Sequence, residues 1–217
     1  MLEKLPEAVG HALRDQRAGL DKITFNQVDL RAGAGALQVT SLSFADHGPL
    51  PEACTADGAG VSPPLQWSGV PAQAAEVVIV VEDADAPTPQ PLVHAIVVGL
   101  PGADGALQLG GLASPGHDGE AEVETGRNSY LQARWLPPDP PPGHGTHRYV
   151  FQVFALEPGE PFKGTPGRGA VLDALRERGS AGGYLVGTYA RPDGRVSTGE
   201  PSAVAADPVV TPPVRAV

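Results

Sequence analysis

A single cysteine, Cys54, among 217 residues excludes any internal disulfide. Basic residues are few and scattered: 15 Lys and Arg stand against 25 Asp and Glu, giving a formal charge of -10 and a pI of about 4.9. Without a Lys/Arg cluster there is no electrostatic footprint for nucleic acid. Such a surface is also repelled by anionic bilayers. No apolar run reaches the ~18 residues that a membrane span needs. Residues 1–7 lack the long apolar core of a secretory signal, and no internal repeat is visible. The expectation is a soluble cytoplasmic protein of one domain with extensions.

What the chain does have is glycine and proline, 28 and 24 of them, placed between apolar runs. In those positions they punctuate strands and turns. With 41% hydrophobic residues there is enough apolar material for a core. The pattern predicts a loop-rich, mainly β protein.

Residues 1–20 read as an amphipathic helix, with Leu2, Leu5, Val9, Ala12 and Leu13 at spacings of three and four. Such a helix serves as a docking or dimer-contact element, which leaves room for a homodimer. Residues 33–36 look like a flexible join. A half-buried strand is expected over 37–44, then a long turn region over 46–64. The β-branched run 76–82 reads as a strand covered on both faces. A second such run spans 93–100, and 102–125 are Gly-rich and uninformative. Residues 148–156 alternate most clearly, 171–178 read as a short helix stopped at Gly179, and 184–189 as a last strand. After Pro192 the chain turns Pro-, Ala- and Val-rich, as an extended tail does. These readings divide the chain into an extension over 1–36, a domain over 37–191 and a tail over 192–217. Antiparallel sheets in a sandwich are the natural architecture.

Three places carry side chains suited to chemistry. A proline wall over 137–142 leads into Gly143-His144-Gly145-Thr146-His147-Arg148-Tyr149, which delivers hydrogen-bonding groups to the mouth of a strand. At the end of the 76–82 run stand Glu82, Asp83 and Asp85, carboxylates that repel one another unless solvated or held by donors. Pro87 stiffens that turn, with Ala86–Pro87 a candidate cis bond. His94, inside an apolar run, is either a satisfied core residue or a functional one. If Asp83 and His94 come from neighbouring strands, the carboxylate fixes the imidazole's tautomer and raises its pKa.

Six segments occur in order: Cys54-Thr55-Ala56-Asp57-Gly58, Ser62-Pro63-Pro64-Leu65-Gln66-Trp67, Asp83-Ala84-Asp85-Ala86-Pro87, His94, Gly145-Thr146-His147-Arg148-Tyr149 and Gly187-Thr188-Tyr189. Over roughly residues 37–191 the chain thereby resembles the phosphatidylethanolamine-binding protein family, including its bacterial Raf-kinase-inhibitor-like members. The resemblance implies a two-sheet β-sandwich with a short C-terminal helix and a small anion pocket at one end. It implies that Asp83, Asp85, Pro87, His94, His147 and Tyr149 line that pocket, with Pro141 and Gly143 on its rim. Ligands of that family are phosphoryl headgroups of phospholipids, acetate and similar small anions. The chain departs from it at His94-Ala95, where many bacterial members carry His-Trp, at Gly99 in place of Asn, and at Leu136-Pro137-Pro138. These changes reshape the mouth, with Trp135 as an added aromatic wall. Residues 1–36 and the tail have no counterpart in the minimal family.

The physics of an anion pocket agrees. His147 and His94 can supply N–H donors and positive potential, and Asp83 acts as the orienter of a histidine. Strand alternation points Arg148 away from His147, as a structural ion-pair partner. His144 is expected to be a solvent-exposed turn residue. Cys54 is expected to be small and buried, the alternative being a redox-sensitive thiol. The leading expectation is binding of a small anion or phosphorylated headgroup, with no cofactor, no metal, no catalytic residue and no turnover. One alternative is a protein-interaction regulator of the kinase- or protease-inhibitor kind, acting through a rim that includes Trp135 and His144; its partner is not identified. Another is a hydrolase or metal site built from His94, His147, Asp83 and Asp85.

Overall fold

The computed structural model describes residues 6–30, 36–112 and 123–191. Strands β1 (Gln38–Thr40), β2 (Gly48–Pro49), β3 (Leu65–Ser68), β4 (Glu76–Asp83), β5 (Leu92–Pro101), β6 (Gly105–Leu107), β7 (Glu124–Thr125), β8 (His147–Leu156) and β9 (Gly179–Tyr189) form two sheets. One sheet has the order β1-β3-β6 and the other β2-β9-β8-β4-β5-β7. All pairings are antiparallel except β2 with β9. Helices α1 (Glu7–Leu13) and α2 (Arg168–Arg178) complete the described elements, with short 3-10 turns at Leu20–Lys22, Thr24–Gln27 and Glu52–Cys54.

The period of two in a strand assigns the two faces of β4. Val77, Ile79 and Val81 pack with Val39, Leu65, Trp67 and Phe151 between the sheets. Val78 and Val80 pack with Phe154, Val171 and Leu175 under α2. Every side chain of β4 from Val77 on is therefore buried, which is why its sequence is apolar without alternation. The same parity sorts the two acids that end the strand. Glu82 falls on the α2 side, fully buried, where Thr24 N, Gln152 Nε2 and Arg168 Nε donate to its carboxylate. Asp83 falls on the inter-sheet side, at the end of the sandwich. The carboxylate cluster is thus held by donors.

Several sequence expectations are sharpened or corrected. The N-terminal helix covers only Glu7–Leu13 within the described residues, and the chain then runs on in 3-10 turns. The first strand is shorter than expected, and the long turn region contains β2. The last strand begins at Gly179, directly after α2, so that glycine ends the helix and starts the strand. No cis peptide occurs among the described residues, so Ala86–Pro87 is trans. Most of the 33–36 join and the tail from 192 lie outside the described residues. Cys54 is 1% exposed, and burial pushes its thiol up to about 11. Iodoacetamide at mildly alkaline pH should leave the native protein unlabelled and modify it once denatured. Rapid native labelling, followed by mass spectrometry, would contradict the buried assignment.

Candidate functional site

Three strand segments meet at one end of the sandwich. Asp83 ends β4 and lies opposite Tyr149 of β8 in the ladder. His147 begins β8 and shares Tyr149's face, two residues apart. His94 arrives by a different device. In the β4–β5 ladder Val81 pairs with Ala95 and Glu82 with Val93, so His94 is the extra residue of a β-bulge. A bulge re-aims a side chain, and the His94 ring comes to lie 5.1 Å from the Tyr149 ring and 6.1 Å from Trp135, centroid to centroid.

The proline wall forms the third side. Prolines present carbonyls without N–H groups, and donors elsewhere take these up: Ala56 N donates to Pro138 O and Arg191 Nη1 to Pro140 O. Arg191 also clamps Asp57 and Asp139. Leu136 N donates to His94 O, and His94 Nδ1 donates back to Leu136 O at 2.6 Å. That bond fixes the His94 tautomer. Burial depresses the His94 pKa, opposed by Asp83 and by the Leu136 carbonyl, with His147 adding to the depression and Asp139 opposing it. The unliganded ring is therefore neutral, with Nε2 as a bare acceptor. Asp83 favours the charged imidazole as expected, but burial outweighs it and the net shift is downward.

A second chain of bonds runs through the Gly143–Tyr149 loop. His147 Nδ1 lies 2.7 Å from Asp83 Oδ2, His144 Nδ1 lies 2.7 Å from His147 Nε2, and His144 Nε2 lies 2.8 Å from the Leu13 carbonyl. A carbonyl only accepts, so His144 donates from Nε2. The His144 pKa is lowered, first by burial, then by the charge of His147 and of Arg17, so its other nitrogen accepts. His147 must then donate from Nε2. One further proton is shared between His147 Nδ1 and Asp83 Oδ2. Asp83 is thus the orienter of His147, and its other oxygen accepts from Asp85 N.

The expected residues divide accordingly. Asp83, His94, His147 and Tyr149 come together, each at most 5% exposed. Asp85 does not join them. Its carboxylate is taken by Arg148 through the backbone N, Nε and Nη2, and by Arg17. Burial pulls the Asp85 pKa upward, but these bonds outweigh it and hold the carboxyl low. Arg148 is the ion-pair partner that alternation implied. Pro87 sits half-buried at the margin, while Pro141 and Gly143 are buried beneath α1 instead of forming an open rim. His144 is fully buried, contrary to its reading as a solvent-exposed turn residue, and Trp135 is 1% exposed. Both are pinned by segments distant in sequence, which a local reading cannot see. Arg17 and Arg191 gave no motif, and Asp139 is a lone acid among prolines.

Four buried side-chain atoms of the described residues carry no hydrogen-bond partner and are not otherwise engaged: Thr24 Oγ1, His94 Nε2, Trp135 Nε1 and Tyr149 Oη. Three of the four belong to His94 and the two rings beside it, Tyr149 at 5.1 Å and Trp135 at 6.1 Å. Burial, then Asp83, pushes the Tyr149 hydroxyl well above its ordinary range, so it remains a donor. By contrast, Trp67, the other tryptophan, donates Nε1 to Ala103 O at 3.0 Å. Among the described residues no group of three or more His, Cys, Asp or Glu is arranged to hold a metal ion. Nor is any helix there long and apolar enough to cross a membrane.

A family model described as phosphatidylethanolamine-binding protein matches residues 40–190. A Mycobacterium tuberculosis protein named UPF0098 protein Rv1910c is 37% identical over 158 residues, covering 70% of each chain. The crystal structure of the homologue CT736 from Chlamydia trachomatis superposes with a TM-score of 0.64 at 30% identity, covering 72% of this chain and 98% of that one. Escherichia coli YbcL, described as a new member of the mammalian PEBP family, gives 0.64 at 27% identity, covering 72% of this chain and 99% of YbcL.

Proposed function

The chain belongs to the phosphatidylethanolamine-binding protein family, and from that premise we propose that it binds a small anion, a phosphoryl headgroup or a carboxylate, between β4, β5 and β8 without turning it over. The observation that carries this reading is the trio of unpartnered buried atoms, His94 Nε2, Trp135 Nε1 and Tyr149 Oη. Buried polar groups are rarely left unpaired. An oxyanion satisfies all three at once, accepting from the indole, the phenol and a protonated His94. The Asp83–His147 pair lies alongside and is internally neutralised, so it adds no net repulsion.

Absence of turnover is part of the proposal. The Cys54 thiol is held protonated, and Ser62 Oγ accepts from Leu112 N in a loop far from the trio in sequence. The rim-mediated alternative gains no support, because Trp135 and His144 are both buried.

Calorimetric titration with phosphoethanolamine and with acetate tests the reading. Saturable binding is expected, and a folded protein giving no saturable heat up to millimolar ligand would overturn it. The pH dependence follows from His94. In the free site its depressed pKa leaves it neutral, and the bound anion needs a proton on Nε2, so binding takes up a proton. Acetate keeps its own charge near neutrality. Its affinity should therefore fall as pH rises, by up to about tenfold per unit where free His94 is neutral and bound His94 charged. An affinity that is flat from about pH 6 to about pH 8 would contradict proton uptake at His94.

A further inference from the structure

Residues 7–17 lie across the loop that encloses the site, and they lie outside the family match, which begins at residue 40. CT736 and YbcL are spanned almost whole by 72% of this chain, so more than a quarter of it has no counterpart in them. Resting on the binding reading above, we propose that residues 7–17 are a displaceable cap on the loop that walls the anion site, held there through the Leu13 carbonyl and Arg17.

The attachment of this segment is polar and local. Leu13 O accepts from His144 Nε2 at 2.8 Å. Arg17 donates to His144 O and Thr146 O and pairs with Asp85 at 3.0 Å. Helix α1 sits so close to the loop that a Cβ on Gly10 would stand 1.8 Å from Pro142 O, and one on Gly143 would stand 3.0 Å from Glu7 O. Only a residue without a side chain permits this approach.

The segment contributes little to the core. Of residues 7–17 only Gly10 is buried. The anchor lies just beyond: Ala18 N and Gly19 N bond to Ala86 O and Ala84 O, and Ala18, Ile23 and Thr24 are buried. Elements with few buried apolar contacts open at low cost. The cap can therefore lift while the anchor stays.

Lifting uncovers the loop that leads into His147, whose ring stacks 6.4 Å from that of Tyr149. A cap that must lift before ligand enters lowers the apparent affinity to the fraction of molecules that are open. By the same linkage, ligand drives the cap open.

The test uses the full chain. Gly10→Leu must push α1 off Pro142, and Arg17→Ala removes three of the cap's contacts without adding bulk. Phosphoethanolamine titration should give at least tenfold tighter binding for Gly10→Leu, with Arg17→Ala shifted in the same direction. In the wild type, hydrogen exchange of residues 7–17 should rise when phosphoethanolamine is added. Parallel titration with phosphatidylethanolamine vesicles shows whether the phosphoryl group is taken free or lipid-borne; a variant that outbinds the wild type in either arm supports the cap. Equal saturable binding by all three folded proteins, with no rise in exchange, overturns the cap and leaves the binding reading standing. If Gly10→Leu fails to fold, Arg17→Ala and the wild-type exchange decide. No binding by any of the proteins overturns the binding reading and the cap with it.

Discussion

Arg191→Met is expected to cost about 3–5 kcal/mol of stability, a fall in melting temperature on the order of 10 °C. Arg191 is 3% exposed and binds Asp57 through Nε and Nη2, Asp139 through Nη2 and Pro140 O through Nη1. Asp57 also accepts from the Tyr189 hydroxyl, whose pKa is pushed up to about 12 by burial and by that bond. Methionine fills most of the volume but takes the one guanidinium away from two carboxylates, and a buried charge deprived of its counter-ion is far more costly than the pair is stabilising. Arg191→Lys should fall between, because an ammonium cannot reproduce the guanidinium fork. The consequence reaches the site, since the proline wall that pins His94 through Leu136 is itself held by Arg191. Thermal denaturation followed by circular dichroism checks this; a loss below about 1 kcal/mol, the range of surface pairs, would contradict it.

Tyr149→Phe is expected to move stability and binding in opposite directions. In the free protein the hydroxyl is fully buried and unpartnered, so removing it relieves a desolvated polar group and should leave stability unchanged or raise it by about 1 kcal/mol. In the complex the same hydroxyl donates to a charged acceptor, an interaction of about 1.5–3 kcal/mol. Anion affinity should therefore fall by roughly 10- to 100-fold. A tyrosine serving only as core would give the reverse, with no change in binding and some loss of packing. Wild-type affinity in a fully folded Tyr149→Phe would remove the hydroxyl from the site.

The strands were readable in the sequence where burial on both faces makes the apolar pattern continuous, as in β4, or where alternation is strong, as in β8. Their ends carried Asp83, His147 and Tyr149 to one place, and the order of motifs made that legible. His94 was legible as a residue but not in its orientation, because a bulge at His94-Ala95 needs no glycine and leaves no mark in the pattern. The fate of His144 was hidden for another reason. Its partner is a main-chain carbonyl 131 residues away, and a backbone acceptor has no sequence signature. The engagement of Asp85 was hidden for a related cause, since Arg17, one of its two arginines, belongs to the extension. Motifs showed which groups lie near the site. Only the packing of the extension showed that His144 and Asp85 are already engaged.

The central claim is that an anion binds where Trp135 Nε1, Tyr149 Oη and His94 Nε2 lack partners. The indole region of a nitrogen-15 correlation spectrum tests it directly, because the chain has 2 tryptophans and only Trp135 has a free indole donor, Trp67 being bonded to Ala103 O. On titration with phosphoethanolamine the Trp135 indole N–H is expected to move downfield and saturate, while that of Trp67 stays in place. A Trp135 resonance that remains stationary through a saturating titration would place the ligand elsewhere and contradict the account.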